Sequence, residues 1–389
     1  MKVIHTGDWH LGHQLYGFDR ERDHRRMLDA LVETVASERP DALLIAGDIF
    51  HTPNPPASAQ RLFAESLVRF LDAAPGLVIV AIAGNHDSGS RHEIFRSLML
   101  RQNVHLIGTT DTSDTSSHII EIEGKGWIIA VPFTHRRNLP EGFIPSLTES
   151  VAARNAASLP VVLMAHTTVT GADLTGHEDR DGFTAGGIDA TGIDTFGEGY
   201  DYLALGHIHK PQTIENGQRT ARYSGTPVPV SFDETFSHSV SLVSTERHGE
   251  KPAIRCAQTD AGRPLITLPA DGKPAPFEDA LAMLRDYPDD IESMLRLNVL
   301  VDGFLPPEAM SRARAATEGK LCTLCTISAE RVSAKESGPK EMSVQEFREA
   351  SPTDVFARYA ADCGVEMTDE LRSMFDEAIE SLNDEEDGK

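Results

Sequence analysis

The sequence predicts an α/β layered protein, and three observations carry that reading. Short apolar runs alternate with helix-spaced ones in the first part of the chain, a strand-rich stretch follows, and one apolar run after another ends in Asp, Asn or His. Alternating strands and helices build a largely parallel sheet with covering helices. Folds of this kind bind ligands at the carboxyl ends of their strands.

In chain order, "KVIHTGD" reads as a strand, and "RRMLDALVETVA" sets Met27, Leu28, Leu31, Val32 and Val35 on one helical face. "DALLIAGD" is a second strand, Leu62, Phe63, Leu67, Phe70 and Leu71 mark a second helix, and "GLVIVAIAGNHD" is a third strand. The spacing of Ser90 to Glu93 matches a capping box for a short helix through Phe95, Leu98 and Met99. The segments "HIIEI", "GWIIAV", "PVVLMAH", "DYLALGH", "ARYSG" and "SVSLVS" then read as strands bounded by Gly, Pro, Asn and Asp. These elements predict a first domain over 1–262.

A smaller α+β domain is predicted over 263–332, from "LITL", "FEDALAMLR", "MLRLNVLVD", "PEAMSRARAAT" and "LCTLCTISAERV". A linker is predicted over 333–342 and two helices over 343–389. The first of these opens with "SPTD", where Ser351 caps, Pro352 suits the first helical position and Asp354 completes the box. Val355, Phe356 and Tyr359 form its apolar face. On the second helix, Leu371, Met374, Phe375, Ala378, Ile379 and Leu382 recur at helical spacing, as partner-binding helices do.

Composition narrows the function classes. With 40% hydrophobic and 25% charged residues in 389, the chain has the make-up of a globular protein. No apolar run approaches the ~20 residues of a membrane span, and "MKVIHTGDWH" is polar where a secretory signal is apolar, so a cytoplasmic protein is expected. Four cysteines are too few for a disulfide scaffold, and on a strand Cys322 and Cys325 of "CTLC" fall on opposite faces. A net charge of -24 argues against a freestanding nucleic-acid binder, because affinity for a polyanion rests on Lys and Arg. Positive charge must come from a metal site or from a basic partner.

The polar residues at the predicted strand ends are Asp8 and His10; Asp48 and His51; Asn85, His86 and Asp87; His166; and His207 and His209. Singly, each could be a turn residue or a cap. Together they have the make-up of a dinuclear metal site, which needs a bridging carboxylate, several imidazoles and open positions for water and substrate. On extended backbone, residues one apart point the same way, so Asp8 with His10 and His207 with His209 are each expected to face one side.

"GDWH", "AGDIFH", "GNHD", "MAH" and "GHIH", in this order, resemble the five motifs of the calcineurin-like metallophosphoesterases. "HTGDWHLGHQLYGFDRERDH", "NPPAS", "AGGIDA", "DYLALGHIHKPQ" and "RYSGTPVPVSFDET" are further similar to the double-strand-break repair nucleases of that superfamily, a likeness running from His5 to Thr235. The resemblance implies an α/β/β/α sandwich with a small α+β capping domain and C-terminal helices. It implies two divalent ions, with manganese expected: Asp8, His10 and His209 on one, Asn85, His166 and His207 on the other, and Asp48 bridging. Two carboxylates against four positive charges leave a net attraction for phosphate. His86 would face the scissile phosphodiester as an acid, with Asp87 as its orienting group, and His51 would place the DNA or hold Asp48.

The activity so implied is 3'-to-5' exonuclease and endonuclease action on duplex DNA ends and hairpins, in recombination and repair. The implied partner is an SbcC-type coiled-coil ATPase, which would supply the basic DNA path. The family also dimerises within a heterotetramer, through helices after the second and third motifs; here the candidates are Leu62, Phe63 and Phe70, and Phe95 and Met99. A small-molecule phosphoesterase such as a nucleotidase, using the same metals, is the alternative enzyme. A non-catalytic docking scaffold is the alternative of another class, and it leaves His86 without a purpose. Arg136 and Arg137, and His13 and Tyr16, are further candidates for contact with the DNA backbone.

Overall fold

The computed structural model describes residues 1–176, 190–216, 219–260, 262–331, 351, 353–357, 367–368 and 371–375. The predicted linker over 333–342 and most of the helical pair over 343–389 lie outside the described residues. The chain divides into one compact unit of residues 1–300 and 304–330 and a second of 301–303 and 331–389.

Along the chain, β1 (Lys2–Thr6) leads through a small hairpin, β2 (Gln14–Leu15) and β3 (Phe18–Asp19), to α1 (Glu21–Glu38). There follow β4 (Ala42–Ala46), α2 (Ala57–Ala73), β5 (Val78–Ile82), the short α3 (Gly89–His92) and α4 (Arg96–Met99), and β6 (Val104–Ile107). The second half of the sandwich is β7 (Ile119–Ile122), β8 (Gly126–Ala130), α5 (Phe143–Arg154), β9 (Val161–His166), β10 (Tyr202–Gly206), β11 (Gln212–Asn216) and β12 (Arg219–Tyr223). β13 (Ser239–Ser244) and β14 (Ala253–Gln258) return to the first sheet. The remainder is β15 (Leu265–Leu268), β16 (Ala275–Pro276), α6 (Phe277–Asp286), β17 (Met294–Val301), α7 (Ala309–Ala316) and β18 (Thr323–Arg331).

Two six-stranded sheets result, in the orders β14-β13-β1-β4-β5-β6 and β11-β12-β10-β9-β8-β7. β1, β4, β5 and β6 run parallel, as do β8, β9, β10 and β12. Strand alternation builds three apolar layers from one pattern. In β4, Ala42 and Leu44 point between the sheets while Leu43 and Ile45 point to α1 and α2. In β9, Val162 and Met164 meet the first sheet while Val161, Leu163 and Ala165 face α5. The layers are therefore α/β/β/α, as the resemblance implied. A four-stranded sheet, β15-β17-β16 with β18 on β17, carries α6 and α7.

Two local expectations need correction. Glu93 does not close a capping box with Ser90; its carboxylate accepts the backbone N–H groups of Gly108 and Thr109 and ties the chain beyond β6. Leu62, Phe63 and Phe70 are buried in the core under the first sheet and cannot form a dimer face. The exposed apolar residues of these helices are Val68 on α2 and Ile94, Phe95 and Leu98 around α4.

In the second unit, Ser351 caps as expected: its Oγ accepts the N–H of Asp354 at 3.1 Å and donates to the Asp354 carboxylate. The rings of Phe356 and Phe375 stack with centroids 4.1 Å apart. No helix among the described residues is long and apolar enough to cross a membrane.

A buried ionic knot joins α1 to the start of the small sheet. Asp23 is fully buried and accepts from Arg20 Nε at 2.5 Å, from Arg263 Nη2 at 2.8 Å and from the Arg263 backbone N–H at 2.8 Å. Burial opposes its ionisation, but the two guanidinium groups win and hold it down to about 2. Its stabilising effect is therefore complete above the unfolded value of about 4 and disappears as pH falls towards 2. Asp23→Asn is expected to lower stability at pH 7 by roughly 3 kcal/mol, since it leaves two guanidinium groups short of a partner. Urea unfolding of both proteins should show the gap closing between pH 4 and 2. A gap unchanged over that range would refute the assignment.

Candidate metal centre

The site sits where parallel strands of the two sheets end side by side. After β1 the chain reads Gly7-Asp8, after β4 Gly47-Asp48, and after β5 Ala83-Gly84-Asn85; β9 ends on His166 and β10 delivers His207. Beyond their strands the first two loops stay paired, with Asp8 N donating to the Gly47 carbonyl, His10 N to Asp48 and Leu11 N to Ile49. Eight strand-end residues from both sheets thus meet: Asp8, His10, Asp48, Asn85, His86, His166, His207 and His209.

The backbone reaches this arrangement by a route the sequence pattern did not predict. Asp8, His10, Asp48 and His207 have φ of 53°, 47°, 46° and 98°, so the segments are kinked and not extended. Non-glycine residues adopt that region at a cost, and only where surrounding contacts fix them. Here the His207 N–H donates to Asp8 Oδ1 at 2.9 Å, the His86 N–H donates to Asp48 Oδ1 at 2.9 Å, and Thr226 Oγ1 donates to the Asp8 carbonyl at 2.8 Å. The buried Ile208 drives the chain into the core between His207 and His209.

Two carboxylate-containing sets of ligand atoms, Asp8, His10 and His209, and Asp48, His166 and His207, each lie within 4.8 Å of one another, and an all-histidine set of His10, His51 and His86 is as close. His10 Nε2 and His209 Nε2 are 3.2 Å apart. Asn85 Oδ1 stands 3.0 Å from both His166 Nε2 and His207 Nδ1, which adds it to the second set. Asp48 Oδ2 lies 3.4 Å from His166 Nε2 and 3.9 Å from His10 Nε2, between the sets. Gly84 makes room for it, because a Cβ there would lie 2.0 Å from Asp48 Oδ1.

Charge in this buried cluster is unbalanced. Burial pushes the Asp8 carboxyl up to about 6, and its Oδ2 has no hydrogen-bond partner. Burial also disfavours ionised Asp48, yet His166 and His10 beside it hold it well below the usual range. Burial works to lower His166 and His209, but Asp48 next to the first and Glu234 next to the second lift each to about 9. An orphaned carboxylate oxygen, converging imidazole nitrogens and two buried carboxylates are the donor set that a pair of divalent cations fits.

The three remaining candidates stand beside the two sets. His86 Nδ1 donates to the His51 carbonyl at 2.9 Å, and its ring lies edge-on to His10 with centroids 5.0 Å apart. Asp87 is not its orienting group. The Asp87 carboxylate accepts the N–H groups of Ile49, Phe50 and Gly84 and fastens the loop after β4 to the loop after β5. The His51 ring packs on His10, His13 and His86, and its backbone orients His86. Arg137 is exposed on the turn Arg136–Asn138.

Sequence reasoning missed Glu234, whose carboxylate accepts from His209 Nδ1 at 2.8 Å. It lies inside the quoted "SFDET", but only the fold brings it to the histidine. Cys322 and Cys325 belong to no metal-binding group among the described residues.

Two family models match the chain. The one described as calcineurin-like phosphoesterase matches residues 1–211, and the one described as type 5 capsule protein repressor C-terminal domain matches residues 261–363. The SbcD component of the nuclease SbcCD from Rhodobacter capsulatus is 35% identical over 312 residues, covering 73% of this chain and 75% of that protein. Its counterpart in Bacillus subtilis is 32% identical over 339 residues, covering 82% and 84%. The Escherichia coli protein is 27% identical over 338 residues, covering 82% of each. The first match spans every residue of the two ligand sets, and the chain belongs to the calcineurin-like phosphoesterases, in the branch formed by the SbcD components of SbcCD nucleases.

Proposed function

We propose that the protein is a divalent-metal-dependent DNA phosphodiesterase, a 3'-to-5' exonuclease and endonuclease that works with an SbcC-type coiled-coil ATPase in DNA recombination and repair. The observation that carries this reading is the pair of ligand sets with Asp48 lying between them and His86 held beside them by a backbone carbonyl. Asp8, His10 and His209 would hold one ion, and Asn85, His166 and His207 the other, with Asp48 between. Bound ions lower the pKa of water towards neutrality and neutralise the phosphodiester. Mixed imidazole and carboxylate donors fit manganese, iron or zinc, and manganese, the metal the family resemblance implies, is the one proposed.

His86 supplies the acid. Its Nδ1–H is spent on the His51 carbonyl, so only a proton on Nε2 is available for the leaving 3'-oxygen. His51 is a positioning residue in this scheme, acting through its backbone and its ring.

The net charge of -24 favours a partner that provides the basic DNA path, in a cytoplasmic assembly. Residues 343–389 are the proposed docking segment for that ATPase. The test is manganese-dependent cleavage of linear duplex DNA and of a chromogenic phosphodiester by the same preparation, with and without the ATPase, using the full chain and one ending at residue 340. DNA cleavage that the ATPase enhances only for the full chain supports the reading. Turnover of the small ester without any DNA cleavage would point to a nucleotidase, and no turnover of either to a scaffold.

A homodimer through the exposed apolar face of Ile94, Phe95 and Leu98, each more than 60% exposed, belongs to this proposal. Phe95→Glu with Leu98→Glu is expected to convert a dimer to a monomer in sedimentation equilibrium. An unchanged mass would count against that face.

A further inference from the structure

Glu234 is buried, lies outside the five motifs, and is the acidic partner of His209. Its Oε1 accepts from His209 Nδ1 at 2.8 Å, while Oε2 accepts the Val230 N–H at 3.2 Å and lies 4.0 Å from His238 Nε2. A carboxylate at Nδ1 can only accept, so the proton of the neutral ring sits on Nδ1 and the lone pair on Nε2. That Nε2 is the atom 3.2 Å from His10 Nε2 and grouped with Asp8.

The loop that carries Glu234 is gripped by the small sheet. Asp233 Oδ1 accepts from Arg296 Nη1 on β17 at 2.7 Å, and Arg296 Nε donates to Thr267 Oγ1 on β15 at 3.1 Å. The same guanidinium lies over the Phe232 ring at 5.3 Å, and Phe232 is buried with Leu15, Met294 and Cys325. Three consecutive residues thus join different partners: Phe232 and Asp233 the small sheet, Glu234 the metal centre.

We infer that Glu234 is the positioning residue that fixes the ring and tautomer of His209 for one of the two metal ions, and that β15 and β17 hold it in place through Asp233 and Arg296. The small sheet then contributes to the affinity of that ion. The inference rests on the metal-centre reading above.

The experiment is calorimetric titration of the metal-free full-length protein with Mn2+, which reads binding without activity. Wild type should bind two ions. Glu234→Ala should weaken one of them by about 10- to 100-fold and leave the other nearly unchanged. Glu234→Gln keeps an oxygen acceptor for Nδ1–H and should recover most of that loss. Arg296→Ala should weaken the same ion by a smaller factor.

Two unaltered affinities in Glu234→Ala would overturn the inference, as would a glutamine variant as impaired as the alanine one. Should circular dichroism show that Glu234→Ala does not fold, Glu234→Gln and Arg296→Ala decide: a selective loss of one ion in Arg296→Ala supports the inference, and wild-type binding there overturns it. A wild-type protein that takes up no Mn2+ would refute the metal-centre reading itself, which no Glu234 result can do while wild type binds two ions.

Discussion

Asp48→Asn is expected to lower the occupancy of both metal positions together and to abolish phosphodiester cleavage. Asp48 is the carboxylate that reaches both ligand sets, with Oδ2 3.4 Å from His166 Nε2 and 3.9 Å from His10 Nε2. Asparagine preserves its shape and its bond from the His86 N–H, so the fold around it should persist. What is lost is one of the two negative charges facing the cations, and an amide is a far weaker bridging ligand than a carboxylate. Loss of a residue that merely supports a ligand weakens metal binding by about 10- to 100-fold, so loss of a shared ligand should do at least as much at each position. Elemental analysis after dialysis against dilute Mn2+, beside a DNA cleavage assay, reads both effects. Two ions per chain in the variant would place the bridge elsewhere.

Much of this site was legible in the sequence because strand ends are. The runs "ALLIA", "VIVAIA" and "YLALG" are short, apolar and followed at once by Gly-Asp, Gly-Asn or His, so both the strands and the chemistry at their ends stand out. β14 gave no such signal: "AIRCAQ" is an edge strand with mixed polarity and partial exposure. α5 was masked by Pro145 and by Ser and Thr in "FIPSLTESVAAR", and it forms because Phe143, Ile144, Leu147 and Val151 pack on β8 and β9. Neither element carries a site residue, so missing them did not disturb the functional reading.

The candidate ligands do lie together, but not by the route that strand alternation implied. Alternation along a strand explains why Leu43 and Leu44 face different layers; it does not explain Asp8 and His10, which lie beyond the end of β1 in left-handed backbone. Periodicity cannot reveal such kinks, because they depend on contacts made across the fold: His207 N–H to Asp8, and Gly84 leaving room for Asp48. Asp87 shows the converse. Next to His86 in sequence, it looks like an orienting group, yet three backbone N–H groups occupy its carboxylate and the chain sends the His51 carbonyl to His86 instead. Glu234, outside the five motifs, is the carboxylate that meets a site histidine, and that histidine is His209.

His86→Asn is expected to keep both ions and to slow DNA cleavage by at least ~100-fold, about 2.7 kcal/mol of barrier. Retention of metal follows from geometry. The link from residue 86 to Asp48 is a backbone N–H, which survives the substitution, and the asparagine amide can still donate to the His51 carbonyl that now receives His86 Nδ1–H. What asparagine lacks is a second nitrogen able to carry a proton to the leaving group. General-acid assistance matters in proportion to the basicity of that leaving group. The loss should therefore be large on DNA, whose leaving 3'-alkoxide is strongly basic, and much smaller on a nitrophenyl phosphodiester, whose nitrophenolate departs without help. Rates on both substrates, measured with metal content, separate the possibilities. Equal losses on the two substrates would assign His86 to charge stabilisation at phosphorus instead of protonation, and loss of metal would make it part of the ligand framework.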